Sequence, residues 1–236
     1  MATIRQNIQR LKARIEQACS AAGRPSAGVR LLAVSKTQPP QALREAMEAG
    51  QCAFGENYVQ EGLDKIAALA DARSGLQWHF IGPLQANKSR DVAEHFDWVH
   101  SVDRLKLAQR LSAQRPAHRP PLQVCVQVNI SGEASKSGVV PAEALALAAA
   151  VARLPNLQLR GLMAIPEPAG DFQAQREPHR ALAALLAQLR AQDWAQGLQL
   201  DTLSMGMSGD LEAAIAEGAT CVRVGTAIFG ERAPRV

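Results

Sequence analysis

Apolar runs of strand length alternate with helix-patterned stretches eight times along this chain, and that regularity limits the folds open to it. The strand runs are 29–36, 52–56, 77–82, 98–102, 122–129, 157–165, 200–204 and 220–225. Between them lie stretches with apolar or small residues near helical spacing, at 39–49, 57–70, 86–95, 103–113, 141–154, 172–192 and 208–218. A further helical pattern, 3–22, precedes the first strand, with Ile4, Ile8, Leu11, Ile15 and Ala18 on one face and Gly23-Arg24-Pro25 ending it. Strands that alternate with helices through short loops build parallel sheets. Eight such units in 236 residues match an α/β fold of one kind, a single (β/α)8 TIM-type barrel over 1–236 with an extra N-terminal helix. An open doubly wound sheet is the alternative. It usually has fewer strands, and no G-x-G-x-x-G follows the first strand.

Composition removes several function classes. Hydrophobic residues make up 47% of the chain, enough for one large core. The net charge of +4 comes from scattered arginines rather than a basic run, and only 4% of residues are aromatic, so no nucleic-acid binding is expected. No apolar stretch reaches membrane-spanning length, and the first residues open a polar helix rather than a signal peptide; a cytoplasmic location with no membrane partner is expected. The cysteines, Cys19, Cys52, Cys125 and Cys221, show no C-x-x-C spacing. Reduced thiols are expected, the last three as small buried hydrophobes in or beside strands. His79 and His100 lie in strands without ligand spacing and read as core or rim histidines rather than metal ligands.

In a (β/α)8 barrel the carboxyl ends of all strands meet on one face, where active sites are built. Here those ends carry Lys36, Asn57, Gly82, His100-Ser101, Asn129, Met163-Ala164, Ser204 and Gly225-Thr226. Of six lysines, only Lys36 ends an apolar strand: Lys12, Lys65 and Lys106 fall in helical patterns, Lys88 near a helix start and Lys136 in a loop. A lysine partly withdrawn from water loses its proton more readily and can form a Schiff base with a carbonyl. The plainer reading is a strand-end lysine that reaches for water. Met205-Gly206-Met207-Ser208-Gly209-Asp210 places glycines before a helix with Ser208 at its start, and Val224-Gly225-Thr226-Ala227 repeats that design. Backbone N–H groups, a hydroxyl and a helix N-terminus suit an anion, and loops after strands seven and eight are the usual phosphate site of this barrel. Taken alone, Ser208 reads first as an ordinary N-cap. An amine across the barrel mouth from a phosphate site suits pyridoxal 5′-phosphate (PLP), whose aldehyde bonds a lysine. Arg223 then either points at the cofactor's pyridine nitrogen or makes an ion pair within the barrel.

Several long motifs occur in order: Leu32-Ala33-Val34-Ser35-Lys36-Thr37, Phe54-Gly55-Glu56-Asn57-Tyr58-Val59-Gln60-Glu61, His79-Phe80-Ile81-Gly82-Pro83-Leu84-Gln85-Ala86-Asn87-Lys88, Ser135-Lys136-Ser137-Gly138, Gly161-Leu162-Met163-Ala164, Leu203-Ser204-Met205-Gly206-Met207-Ser208 and Val222-Arg223-Val224-Gly225-Thr226-Ala227-Ile228-Phe229-Gly230. Over nearly the whole chain they resemble the pyridoxal phosphate homeostasis protein family. The resemblance implies a barrel like the N-terminal domain of alanine racemase, with PLP on Lys36 as an internal aldimine. It implies Asn57 near the ring, Arg223 at the pyridine nitrogen, and Ser208, Gly225 and Thr226 at the phosphate. It also implies a monomer that binds and buffers PLP and passes it to PLP-dependent apo-enzymes, with no catalytic residues of its own. One departure stands out: many members carry a lysine two residues after the Schiff-base lysine, and here that residue is Gln38.

The competing reading is a PLP-dependent amino-acid racemase or related enzyme. A racemase uses a second domain that supplies a tyrosine acid/base from the partner subunit. This sequence runs six residues past Gly230 and has one tyrosine, Tyr58, beside Asn57. An arginine also does not readily hand a proton to the ring nitrogen, which leaves the ring a poorer electron sink. Lys136 is a candidate amine for displacing Lys36 by transimination, or a solvated loop lysine.

Overall fold

A computed structural model describes residues 2–133 and 136–230. Its strands are β1 (Arg30–Val34), β2 (Ala53–Glu56), β3 (Gln77–Phe80), β4 (Trp98–Val102), β5 (Leu122–Gln127), β6 (Leu157–Met163), β7 (Thr202–Ser204) and β8 (Cys221–Val224). They pair in parallel in chain order and close, β8 returning to β1 with Arg30 opposite Cys221 and Leu32 opposite Arg223. That closure is the expected (β/α)8 barrel and excludes the open sheet. The helices are α1 (Ile4–Ala21), α2 (Pro40–Glu48), α3 (Val59–Ala68), α4 (Ser89–His95), α5 (Leu105–Gln114), α6 (Pro141–Ala152), α7 (Phe172–Arg190), α8 (Leu211–Ala216) and α9 (Thr226–Phe229). Among the described residues no helix is long and apolar enough to cross a membrane.

The extra helix has a structural reason. α9 has only four residues, too few to cover the outside of its strand. α1 supplies the missing wall: Ile8, Leu11, Ile15 and Cys19 are buried against the barrel, and Asn7 Nδ2 donates to the Ile228 carbonyl at 2.9 Å. Its first turn is fixed by a capping box, Thr3 accepting from the Gln6 N–H and Gln6 from the Thr3 N–H.

Strand side chains alternate between the helical layer and the barrel interior. The outward set, including Ala33, Phe54, Trp78, Phe80, Val99 and Val222, joins the helices in the main core. The inward set is mixed. Two small apolar clusters, Leu32-Val34-Ala53-Ile81-Cys221 and Trp98-Cys125-Met163, stand beside buried His79, His100, Ser204 and Arg223. His100 and Ser204, expected at the rim, thus lie inside the barrel. Among the described residues no group of metal-ligating side chains gathers around these histidines. All four cysteines are free; Cys19, Cys125 and Cys221 are buried, but Cys52 is exposed, because it lies in the loop before β2 rather than in the strand.

Several element ends also differ from expectation. β1 stops at Val34, which leaves Ser35, Lys36 and Thr37 in a turn. α8 begins at Leu211 rather than Ser208, and α9 follows β8 where the sequence shows no helical period. Ser135, part of one quoted motif, lies outside the described residues.

Candidate functional site

Lys36, Asn57, Ser208, Arg223, Gly225 and Thr226 all line one cavity of about 290 Å3 at the carboxyl end of the barrel. Val34, Ile81, Ile165 and Met207 give it apolar walls.

The turn that carries Lys36 is clamped from beneath. Lys65, on α3, is 3% exposed and its Nζ donates to the Ser35 carbonyl at 2.6 Å, to Glu56 Oε1 at 2.8 Å and to Glu61 Oε1 at 2.6 Å. Ser35 Oγ donates to Glu56 Oε1 at 2.6 Å, and the Thr37 N–H donates to Glu61 Oε1. Thr37 has φ 65°, a left-handed backbone that a β-branched residue adopts only under outside constraint. The clamp supplies that constraint and sets where Lys36 leaves the strand. Burial pushes the Glu56 carboxyl above its ordinary value, and Lys65 and Ser35 pull it partly back. Reading Lys65 as one more helical lysine misses this role. The available signals were Glu56, a charge ending an apolar strand, and the Glu61/Lys65 spacing of four.

Asn57 enters from the loop after β2. Gly82 makes room for it: a Cβ there would stand 2.3 Å from the Asn57 carbonyl oxygen. Asn57 Oδ1 is buried and has no partner among the described residues.

The loops after β7 and β8 line the same cavity as Lys36. Gly206, at φ 91°, turns the chain out of β7. Asp210 Oδ1 then accepts the Met207 N–H at 2.6 Å, while Asp210 Oδ2 lies 3.0 Å from His179 Nε2 on α7. Because α8 starts three residues after Ser208, Ser208 is not its N-cap. Among the described residues the N–H groups of Ser208, Gly209 and Gly225 have no acceptor. Those of Thr226 and Ala227 open α9, where the helix itself offers none. Burial acts to raise the Asp210 carboxyl, but the His179 ring and the Met207 N–H together hold it below its ordinary value of 3.8. A lowered carboxyl contributes stability above that ordinary value and loses it as pH falls through the lowered one. Asp210→Ala is therefore expected to lower the unfolding midpoint at pH 6 by about 1–3 kcal/mol of stability. Wild type and variant should converge below pH 4 in urea titrations.

Arg223 closes the floor. It is 4% exposed, and its guanidinium donates to Ser204 Oγ at 2.8 Å and to the Ala164 carbonyl at 2.7 Å. Among the described residues it has no carboxylate within ion-pair distance, so the ion pair is not the arrangement found. Desolvation lowers its pKa from the usual arginine value. The Asp210 carboxylate, though not in ion-pair contact, favours its charge, and a buried cation beside a cavity favours an electron-rich ligand atom. A second chamber of about 240 Å3 adjoins across Asn57, Ile81 and Ile165. Lys136 lines it, paired with Glu133 at 2.6 Å rather than loose in solvent.

The family model for the alanine racemase N-terminal domain matches residues 2–233. The pyridoxal phosphate homeostasis protein of Pseudomonas aeruginosa is 62% identical over 98% of this chain and 97% of its own length. That of Escherichia coli K12 is 55% identical over 98% of each chain. The structure of PipY from Synechococcus elongatus with PLP bound is 40% identical, covers 92% of this chain and 99% of its own, and superposes with a TM-score of 0.78. With a closed barrel, a lysine and two glycine-bearing loops lining one cavity at its carboxyl end, and identity of this extent over nearly the whole sequence, the chain belongs to the pyridoxal phosphate homeostasis protein family, built on an alanine racemase N-terminal domain.

Proposed function

We propose that this chain binds PLP in the carboxyl-end cavity, buffers it and hands it to PLP-dependent apo-enzymes as a monomer, without turning over a substrate of its own. One observation carries the reading: an amine, a set of backbone N–H groups without acceptors and a buried guanidinium with no carboxylate in ion-pair contact line one cavity. PLP would supply an aldehyde there, and Lys36 Nζ is the amine placed to condense with it, with loss of water. The N–H groups of Ser208, Gly209 and Gly225, with the Ser208 and Thr226 hydroxyls, hold the phosphate. Ile81, Ile165 and Met207 would give the ring apolar walls, and Asn57 would lie near it.

Arg223 supports a holder over an enzyme. Its guanidinium stays protonated and donates to the pyridine nitrogen without giving up a proton. The ring then remains a weak electron sink, which disfavours racemase chemistry and favours storage. Two assays test this together. Loaded protein should restore activity to a PLP-requiring apo-enzyme faster than free PLP at the same free concentration. Chromatography of L- and D-amino acids incubated with it should show no interconversion. Racemisation at enzymatic rates would establish the competing reading, and reactivation no faster than by free PLP would reduce the role to buffering.

The phosphate cradle has its own check. Ser208→Ala removes one neutral hydrogen bond among several and should weaken PLP binding by about 1 kcal/mol. Pyridoxal without phosphate should bind far more weakly than PLP in the same equilibrium dialysis; equal affinity would refute an anion site.

A further inference from the structure

The amino end of the barrel holds another cavity, about 440 Å3, that shares no lining residue with the Lys36 cavity. His79, His100, Trp98, Arg30, Arg160 and Asp201 form its chemically distinctive wall. A buried hydrogen-bond chain reaches it from the opposite end. Arg223 donates to Ser204 Oγ, Ser204 Oγ lies 2.7 Å from His100 Nδ1, and His100 Nε2 lies 2.9 Å from His79 Nδ1.

The chain fixes where the protons sit. A guanidinium only donates, so Ser204 accepts from Arg223 and keeps its own proton to give. His100 Nδ1 is the strong acceptor beside it; the Cys221 thiol, also near Ser204, accepts weakly. Both rings are neutral. Burial, followed by the charges of Arg223 and Arg30, pushes His100 down to about 3, and burial with His100 and Arg30 holds His79 well below its ordinary 6.5. With Nδ1 accepting, His100 carries its hydrogen on Nε2 and donates it to His79 Nδ1. His79 is left with its hydrogen on Nε2. That atom is buried and has no partner among the described residues. An orphaned buried donor is costly, and a ligand at this wall would relieve that cost.

The charges at this cavity favour an anion. Arg160 lies 5.2 Å from the Trp98 ring centre, and its charge is taken up by Asp201. Arg30 lies 5.4 Å from the same ring, is exposed, and among the described residues has no carboxylate or carbonyl partner for its guanidinium. An adjoining cavity of about 590 Å3 shares Arg30, Trp98 and Arg160 and adds Arg73, Arg115 and Arg119 against Asp97. Desolvation and the charge of Arg73 lower the Arg119 pKa, a mark of crowded positive charge.

We propose that the amino end of the barrel is a second ligand site, which takes a small organic anion through a phosphate or carboxylate group held by Arg30 and the His79 Nε2–H. The inference rests on this geometry and not on the cofactor reading. Protein loaded with PLP, so that the carboxyl-end cradle is filled, is titrated with pyrophosphate and, separately, with citrate. Calorimetry reports binding, and nitrogen-15 histidine spectra report the His79 Nε2–H. If the protein takes up no PLP, the functional reading fails while the titrations proceed on the protein as purified. Saturable binding of pyrophosphate alone identifies a phosphate ligand, and of citrate alone a carboxylate ligand. In either case Arg30→Gln should weaken it at least tenfold, Arg30→Glu should abolish it, and the His79 signal should move in wild type. Arg30 is exposed at a strand start, so both variants should fold. The proposal is overturned if neither probe binds saturably at millimolar concentration. It is also overturned if Arg30→Gln binds as tightly as wild type, if the His79 signal stays still, or if the near-visible cofactor band disappears as the probe binds.

Discussion

Lys36→Ala protein should take up PLP without developing the near-visible band of a lysine-bound cofactor. Its unfolding midpoint should stay within about 0.5 kcal/mol of wild type. The first expectation follows from position: of the six lysines, Lys36 is the one that lines the cavity with the anion cradle, Arg223 and Asn57. The second follows because Lys36 sits in a turn after β1, half-buried, and the core contacts of that strand belong to Leu32, Ala33 and Val34. Borohydride reduction of loaded wild-type protein, followed by peptide mass spectrometry, should place the pyridoxyl mass on Lys36. The mass on Lys136, which lines the neighbouring chamber, or on Lys88 would overturn the assignment. Residual binding to the alanine variant, through the phosphate cradle alone, should be weak and should depend on Ser208.

The fold, and the gathering of the candidate residues around one cavity, were legible because each rests on local pattern. Eight apolar runs separated by helical periods specify a closed parallel barrel, and a barrel brings all strand ends to one face. That rule alone gathers Lys36, Asn57, Arg223, Ser208, Gly225 and Thr226. The less legible parts depend on partners distant in sequence. β1 ends two residues early because Lys65 takes the Ser35 carbonyl and Glu61 takes the Thr37 N–H, thirty and twenty-four residues away. α8 starts late because Asp210 binds the Met207 N–H and so holds 207–210 as a turn; the aspartate two residues after Ser208 was the local hint. Strand alternation was enough to point His100 and Ser204 inward, since Trp98 and His100 share one face of β4, but their contact with Arg223 from β8 is set by barrel closure alone.

Lys65→Met should be the most destabilising single substitution near the site, by about 3–5 kcal/mol at pH 7, a fall in melting temperature on the order of 10 °C. The methionine fills the space of the lysine stem, so the loss is electrostatic. Glu56 is completely buried, its Oε2 already lacks a partner, and without Lys65 its Oε1 keeps only the Ser35 hydroxyl. Burial already holds this carboxyl above its ordinary value, and removing the cation raises it further. A carboxyl raised in the folded state is tolerated below its ordinary value of 4.5 and destabilises progressively as pH rises through the raised one. The variant should therefore recover more stability than wild type on acidification from pH 7 toward 5. Glu56→Gln in the same background should restore much of the loss at pH 7, because it removes the unpaired charge and not the shape. If single and double variants unfold at the same urea concentration, the clamp is held by packing rather than charge. The functional consequence is separate. With Ser35 and Thr37 released, Lys36 loses its fixed exit from the strand, so PLP binding by the double variant should remain weaker than wild type even where stability has returned.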